Sequence, residues 1–250
     1  VARYRASKGY DANNVLSFVS YCGGVPKIPN PFRYKFSWAP LGVLKALRSP
    51  SRSLKNFEEF KVARPWDAIT SYDAPLPQPE SFEVYPNRDS YPFMEDYQFD
   101  PAWRVKDFVR GTIRLNGWEA AWTPVFREIE TLSGPTGDAR LAEMADQFVR
   151  ENSYAPGEPD RVILFVSLKA ERDGKIMFHE TWSMDAWGDA KGTAMARLVS
   201  TPVSFAVESL LAGDIAAGVH PAPHDPKLYT KWLGQVRGLV QYMERLDHIA

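Results

Sequence analysis

Two long runs, Arg161 to Arg172 and Lys175 to Ala186, are separated only by Asp173-Gly174, and this pairing constrains the chain more than any other feature. An Asp-Gly step supplies the positive φ angles that a two-residue hairpin turn requires, so the runs read as adjacent antiparallel strands. Val162 to Val166 is apolar on both faces, which puts its strand in the middle of a sheet. A large sheet is therefore the frame that the rest of the sequence must serve.

Further strands follow from the same period. Asn14 to Cys22 alternates weakly and is closed by Gly23-Gly24-Val25-Pro26. Trp103 to Leu115 is a second long strand, Lys55 to Val62 a short edge strand, and Phe82 to Tyr85 a brief alternating run. Helical spacing marks Leu41, Leu44 and Leu47, with Pro50 as the stop, and Trp118 to Leu132, where Pro124 predicts a kink or restart. Asp138 is positioned to cap a helix carrying Leu141, Ala145 and Phe148. Ala190 to Val199 and Val203 to Leu211 read as two short helices, the second capped by Thr201-Pro202 and closed by Gly213. Asp225-Pro226 opens a final helix with Leu228, Trp232, Val236, Leu239, Met243 and Leu246 as its apolar stripe. The expected fold class is α+β, a mixed and largely antiparallel sheet with helices on one face. It forms one domain, residues 1–250, with a short helical insertion at about 117–160. The uncovered face calls for a second subunit over strands Val162 to Leu168 and Ile176 to Met184, hence a homodimer.

Several function classes are excluded or disfavoured. The net charge of -1 is mixed along the chain and no basic stripe carries interleaved aromatics, which argues against nucleic acid. No apolar stretch reaches the roughly 20 residues of a membrane span. Cys22 is the single cysteine, so no intrachain disulfide forms and a reducing cytoplasm is the expected location. Neither a P-loop nor a strand-Gly-x-Gly-x-x-Gly-helix unit is present. Gly23-Gly24 and Gly188 with Gly192 come nearest, and neither opens a βαβ unit. No nucleotide cofactor is expected on this chain.

The chemistry concentrates on arginines. Tyr85-Pro86-Asn87-Arg88-Asp89-Ser90 places Arg88 just past a short strand. In Arg110-Gly111-Thr112-Ile113-Arg114, period-two alternation puts Phe108, Arg110, Thr112 and Arg114 on one face. Two arginines around a threonine suit two-pronged recognition of carboxylate or phosphate. Spacing alone favours a solvated, salt-bridged sheet rim. Cys22 reads as a small core residue rather than a nucleophile, since no histidine is near it in sequence. His220 and His224 flank prolines that forbid the helix needed to align them on a metal. His179 is a weak acid–base candidate within a strand. The catalytic acid and base are not identifiable, and no metal site is expected.

Ser17-Phe18-Val19-Ser20-Tyr21-Cys22-Gly23-Gly24-Val25-Pro26, followed by Asn30-Pro31-Phe32-Arg33-Tyr34-Lys35-Phe36-Ser37-Trp38, resembles the C-terminal part of saccharopine dehydrogenase (glutamate-forming), also called saccharopine reductase. Tyr85 to Ser90, Arg110 to Arg114, Ala194-Met195-Ala196 and Leu210 to Ile215 with Gly218-Val219 continue the likeness in order. The resemblance implies a fold similar to the C-terminal domain of glyceraldehyde-3-phosphate dehydrogenase. It also implies hydride transfer at the secondary amine of saccharopine, an amino-acid substrate with several carboxylates. NAD or NADP would be held by an N-terminal Rossmann domain of the same polypeptide, with subunits paired through the sheet. Arg88, Thr112, Ile113 and Arg114 match the family's substrate-binding positions. The helical section from Trp118 to Asp160 is shorter than the family's helical domain, the Lys27 to Asn30 loop is shorter too, and the Pro-rich segment before Arg88 is unusual. A catalytically silent binding or assembly module of the same fold is the alternative.

Overall fold

The computed structural model describes residues 1–37 and 39–249. In chain order it comprises α1 (Ala2–Ala6), β1 (Val15–Pro26), α2 (Pro40–Leu47), β2 (Ser51–Lys55), β3 (Glu58–Val62), a 3-10 turn (Pro65–Ala68), β4 (Thr70–Ala74), β5 (Glu80–Pro86), α3 (Pro92–Asp96), β6 (Arg104–Leu115), α4 (Trp118–Thr131), α5 (Gly134–Glu151), β7 (Asp160–Arg172), β8 (Lys175–Trp187), α6 (Ala194–Leu211), α7 (Pro226–Arg237) and β9 (Tyr242–Asp247). The strands form one nine-stranded sheet in the order β3-β2-β6-β1-β7-β8-β9, with β5 added to β6 and β4 to β5. Only β1 and β6 pair in parallel; the other named pairs are antiparallel. This is the mixed, largely antiparallel α+β architecture expected from the sequence.

The hairpin forms as its turn chemistry requires. Asp173 and Gly174 adopt φ of 50° and 76°, and β7 pairs with β8 from Arg161↔Trp187 to Arg172↔Lys175. The buried cluster of Phe82, Val84, Ile113, Leu115, Ile163 and Phe165 contains no helical residue and lies beneath β4 and its loop. The helices gather on the opposite face. There α2, α4 and α5 enclose Trp118 and Trp122, both 0% exposed. Burying one such indole, on the order of 200 Å², contributes roughly 5 kcal/mol. α6 and α7 pack over Val162, Met184 and Met243 at the β7–β9 side. Tyr4 of α1 joins Phe18, Phe99 and Phe108 below.

Six local expectations differ from the structure. β1 runs on through Gly23-Gly24 to Pro26, because β7 keeps pairing with it as far as Asp160. The short edge strand expected over Lys55 to Val62 is β3 at the sheet's edge, but it starts only at Glu58, because Asn56 and Phe57 at positive φ turn the chain from β2. α5 starts at Gly134 after Ser133, and Asp138 instead accepts a bond from Arg48 at 2.6 Å. α6 is one helix with Pro202 inside it rather than two helices. The last helix, capped by Asp225 as expected, ends at Arg237, and Met243 and Leu246 lie on edge strand β9. Likewise α4 is a continuous helix through Pro124.

Candidate carboxylate-binding site

β6 carries the site because its pleat divides its residues between two environments. Ile113 points into the core beneath β4 and is 0% exposed, so only its backbone is available on the other side. Arg110, Thr112 and Arg114 face the helices. Thr112 lies beside Cys22 of β1 and opposite Tyr85 of β5.

Arg114 is buried, at 8% exposure, yet has no carboxylate partner among the described residues. Its guanidinium is held by rings instead: Tyr34 at 5.0 Å, Trp118 at 5.4 Å and Tyr85 at 5.6 Å. One Nη donates to the Ile113 carbonyl at 3.1 Å, while Nε is buried without a partner. Glu83, which pairs with Arg114 across the ladder, is engaged elsewhere. Its carboxylate accepts the Gly117 and Glu119 N–H groups at 2.7 Å each and so caps α4. Glycine at the N-cap offers no side-chain acceptor, which explains why a strand residue takes that role. Arg110 repeats the pattern: it lies over the Phe93 ring at 3.5 Å, and its Nε is also buried without a partner. A desolvated cation is costly unless an anion meets it. Arg114 is such a cation and Arg110, half-buried, shares its strand face, so a two-pronged geometry suited to a carboxylate is available at each.

Cys22 sits on the floor between them. It is exposed rather than the core residue its apolar strand suggested. The surrounding protein pushes its thiol up to about 11, chiefly by desolvation, with Arg110 and Arg114 pulling the other way. At neutral pH the thiol is protonated, which removes it as a nucleophile. Beside it on the same sheet face is a cavity of about 940 Å³, floored by Phe18, Ser20, Leu164, Val166 and Trp182. None of Arg88, Arg110, Thr112 and Arg114 lines that cavity, so it is a neighbour of the arginine cluster and not part of it.

Arg88 lies in the turn that follows β5, exposed and at φ 54°. The turn is tied down on both sides. Asn87 N–H donates to the Arg110 carbonyl at 2.8 Å, and the Arg88 carbonyl accepts the Arg52 N–H at 2.8 Å. Asp89 pairs with Arg52 at 2.7 Å, and the fully buried Ser90 hydroxyl accepts the Arg110 N–H at 3.0 Å. The Arg88 backbone is thereby fixed next to Arg110. Arg88 is thus placed next to Arg110, whereas Arg114 lies four residues further along β6 opposite Glu83, with Thr112 between the two arginines and Ile113 turned to the other face. Tyr34, Tyr85, Trp118 and Phe93, which position the guanidiniums, escaped the sequence reading, although Tyr85 directly precedes the Arg88 turn.

His220 and His224 bond to the carbonyls of Ala216 and Asp96, and no group of three ligating side chains occurs among the described residues. His179 projects from the opposite face and stacks on His248 at 4.1 Å. A dinucleotide fits poorly as well. The one strand–glycine turn–helix passage with two glycines, β8 to α6, has its helix N-terminus filled by Asp160, which accepts the Ala194 and Met195 N–H groups at 2.7 and 2.8 Å. A carboxylate already occupying those donors repels a pyrophosphate. No helix among the described residues is long and apolar enough to cross a membrane.

Comparison with known proteins agrees with this architecture. A model of the saccharopine dehydrogenase C-terminal domain matches residues 4–239. Bovine mitochondrial alpha-aminoadipic semialdehyde synthase is 25% identical over an alignment covering 89% of this chain and 31% of that protein. The Pyricularia oryzae protein named saccharopine dehydrogenase [NADP(+), L-glutamate-forming] is 40% identical over 42% of this chain and 23% of its own length. The chain thus spans a third or less of these relatives. Apo saccharopine dehydrogenase (L-Glu forming) from Saccharomyces cerevisiae superposes with a TM-score of 0.70 at 24% identity, over 92% of this chain and 67% of that one.

Proposed function

This chain belongs to the saccharopine dehydrogenase C-terminal domain family, and from that premise we propose that it is the substrate-binding and dimerisation part of an NAD(P)-dependent oxidoreductase. Its substrate is saccharopine or a related amino acid with several carboxylates, oxidised at the secondary amine. The observation that carries this reading is Arg114, a buried cation ringed by three aromatics with no carboxylate partner among the described residues. A substrate carboxylate supplies the missing charge, and Arg88, Arg110 and Thr112 supply further contacts. The aromatic walls keep water from competing for the guanidinium, which strengthens the pairing. Because the residues here do not fit a dinucleotide, the hydride acceptor belongs to a Rossmann domain of the same polypeptide.

The test is oxidation of L-saccharopine by the full-length gene product, with NAD and NADP supplied separately. Turnover that falls with Arg114→Ala while the melting temperature holds supports the proposal. A protein that binds saccharopine without turnover under either cofactor is instead the silent binding module. Sedimentation at micromolar concentration addresses the second half of the proposal. Pairing through the β7–β8 face requires a dimer, and a monomer there contradicts it.

A further inference from the structure

The indole N–H groups of the helices are not treated alike. Trp122 on α4 donates its Nε1–H to the Phe32 carbonyl at 2.9 Å, and Trp232 on α7 donates to the Ser209 hydroxyl at 3.0 Å. Trp118, at the start of α4, is 0% exposed, yet its Nε1 is buried with no partner among the described residues. A donor taken out of water without an acceptor loses its hydration and gains nothing, so native interiors leave few of them.

The orphaned N–H has a companion. The Trp118 ring centre lies 5.4 Å from Arg114 Cζ, and Arg114 Nε is a second buried donor without a partner. One Nη of Arg114 is engaged by the Ile113 carbonyl, which leaves the edge formed by Nε and the other Nη for a ligand. An edge of this kind holds both oxygens of a carboxylate. With hydrogen bonds of about 2.8 Å, a single carboxylate joins donors about 5–7 Å apart, enough to reach the guanidinium edge and an indole N–H together. The acid that faces Arg114 across the ladder, Glu83, is occupied in capping α4 through the Gly117 and Glu119 N–H groups. That cap brackets Trp118 and fixes its backbone. Stacking on Tyr85 at 5.4 Å, with Trp122 and Phe126 at 5.2 and 5.1 Å, fixes its ring. A water would accept from both donors but leave the buried charge unbalanced.

We infer that Trp118 is a substrate contact, its indole N–H donating to the same carboxylate that pairs with Arg114. This rests on the function proposed above and adds a second, uncharged donor to it. The two side chains offer donors only. A primary amide in the carboxylate's place would turn its NH2 group onto an N–H, so the pair selects the acid over its amide.

The experiment uses the full-length gene product carrying Trp118→Phe, which keeps an aromatic ring against Tyr85 and removes the donor. The carboxylate is remote from the amine that is oxidised, so the contact is the same before and during reaction. KM for saccharopine should therefore rise at least about tenfold while kcat stays within about twofold. Lost packing alone would lower the melting temperature without that division between the two constants. In wild type labelled with nitrogen-15 tryptophan, one indole N–H resonance, the one missing from Trp118→Phe, should move downfield when saccharopine is added. If the variant melts early and both constants change, the resonance decides: no downfield shift at any indole overturns the inference whatever the variant does. An unchanged KM in Trp118→Phe beside a raised KM in Arg114→Ala overturns the indole contact and leaves the Arg114 reading standing. An unchanged KM in both variants refutes the two together, as does a full-length protein that binds no saccharopine.

Discussion

Replacing Arg114 with methionine should weaken ligand binding far more than it changes stability. Exchanging buried charged groups for apolar side chains of similar volume is commonly neutral to stabilising by about 1–4 kcal/mol. Against that gain stand the three ring contacts, together about 0.5–2 kcal/mol. The bond from Nη to the Ile113 carbonyl at 3.1 Å offsets about 1 kcal/mol more. The net change lies between about 2 kcal/mol lost and about 2.5 kcal/mol gained, and at 2–4 °C per kcal/mol for a chain of this size the melting temperature moves by no more than about 10 °C in either direction. Binding moves the other way. Loss of one partner of a desolvated charge pair costs about 2–5 kcal/mol, so the specificity constant for saccharopine falls at least about 30-fold. Thermal unfolding by circular dichroism and steady-state kinetics on the same full-length variant give both numbers. A melting temperature lowered by several degrees with unchanged kinetics would refute the reasoning and make Arg114 a structural strut.

Three further outcomes are expected. Arg88→Lys keeps the charge but loses the two-pronged fit, so KM for a carboxylate substrate rises while melting is unchanged, and Arg88→Ala costs about 2–5 kcal/mol in kcat/KM. Gly111→Val destabilises by about 1–3 kcal/mol in urea denaturation, because a Cβ there would lie 2.7 Å from the Tyr21 ring and 2.8 Å from the Tyr85 carbonyl oxygen. Burial, and next the stacked His248, hold the His179 pKa below its ordinary 6.5, with Lys169 adding to the lowering and Glu171 and Asp247 opposing it. The unfolded chain therefore takes up a proton at a higher pH than the folded one. Stability from this group is present at neutral pH and declines as pH falls through 6.5 toward the lower folded value, with a slope of at most about 1.4 kcal/mol per pH unit. Denaturation midpoints of wild type and His179→Gln across that window should converge as pH drops; parallel curves would contradict the assignment.

The sheet was legible where one strand declares its own surroundings. Asp173-Gly174 fixed the hairpin, and the alternation of Phe108, Arg110, Thr112 and Arg114 gave their common face. What escaped depended on partners distant in sequence. Tyr34, Tyr85 and Trp118 meet at Arg114 only because the 27–37 loop, β5 and α4 converge there, and no local period encodes that. Cys22 followed the apolar pattern of a buried strand, yet the helices leave the sheet open above it. Met243 and Leu246 fit a helical stripe as well as a strand, and Gly238 after Arg237 decided between them by ending α7. Pro202 suggested a break, but one proline removes a single helical bond, and packing of Leu198, Phe205 and Ser209 on one side carries α6 through it.

The central claim is that Arg114 receives a substrate carboxylate, and a crystal structure of the full-length gene product with saccharopine bound tests it most directly. The account predicts a carboxylate within hydrogen-bond distance of the Arg114 guanidinium, satisfying the now-unpartnered Nε, with the substrate chain running over Cys22 and Thr112. Saccharopine bound elsewhere, with the Arg114 pocket holding only water, would contradict it.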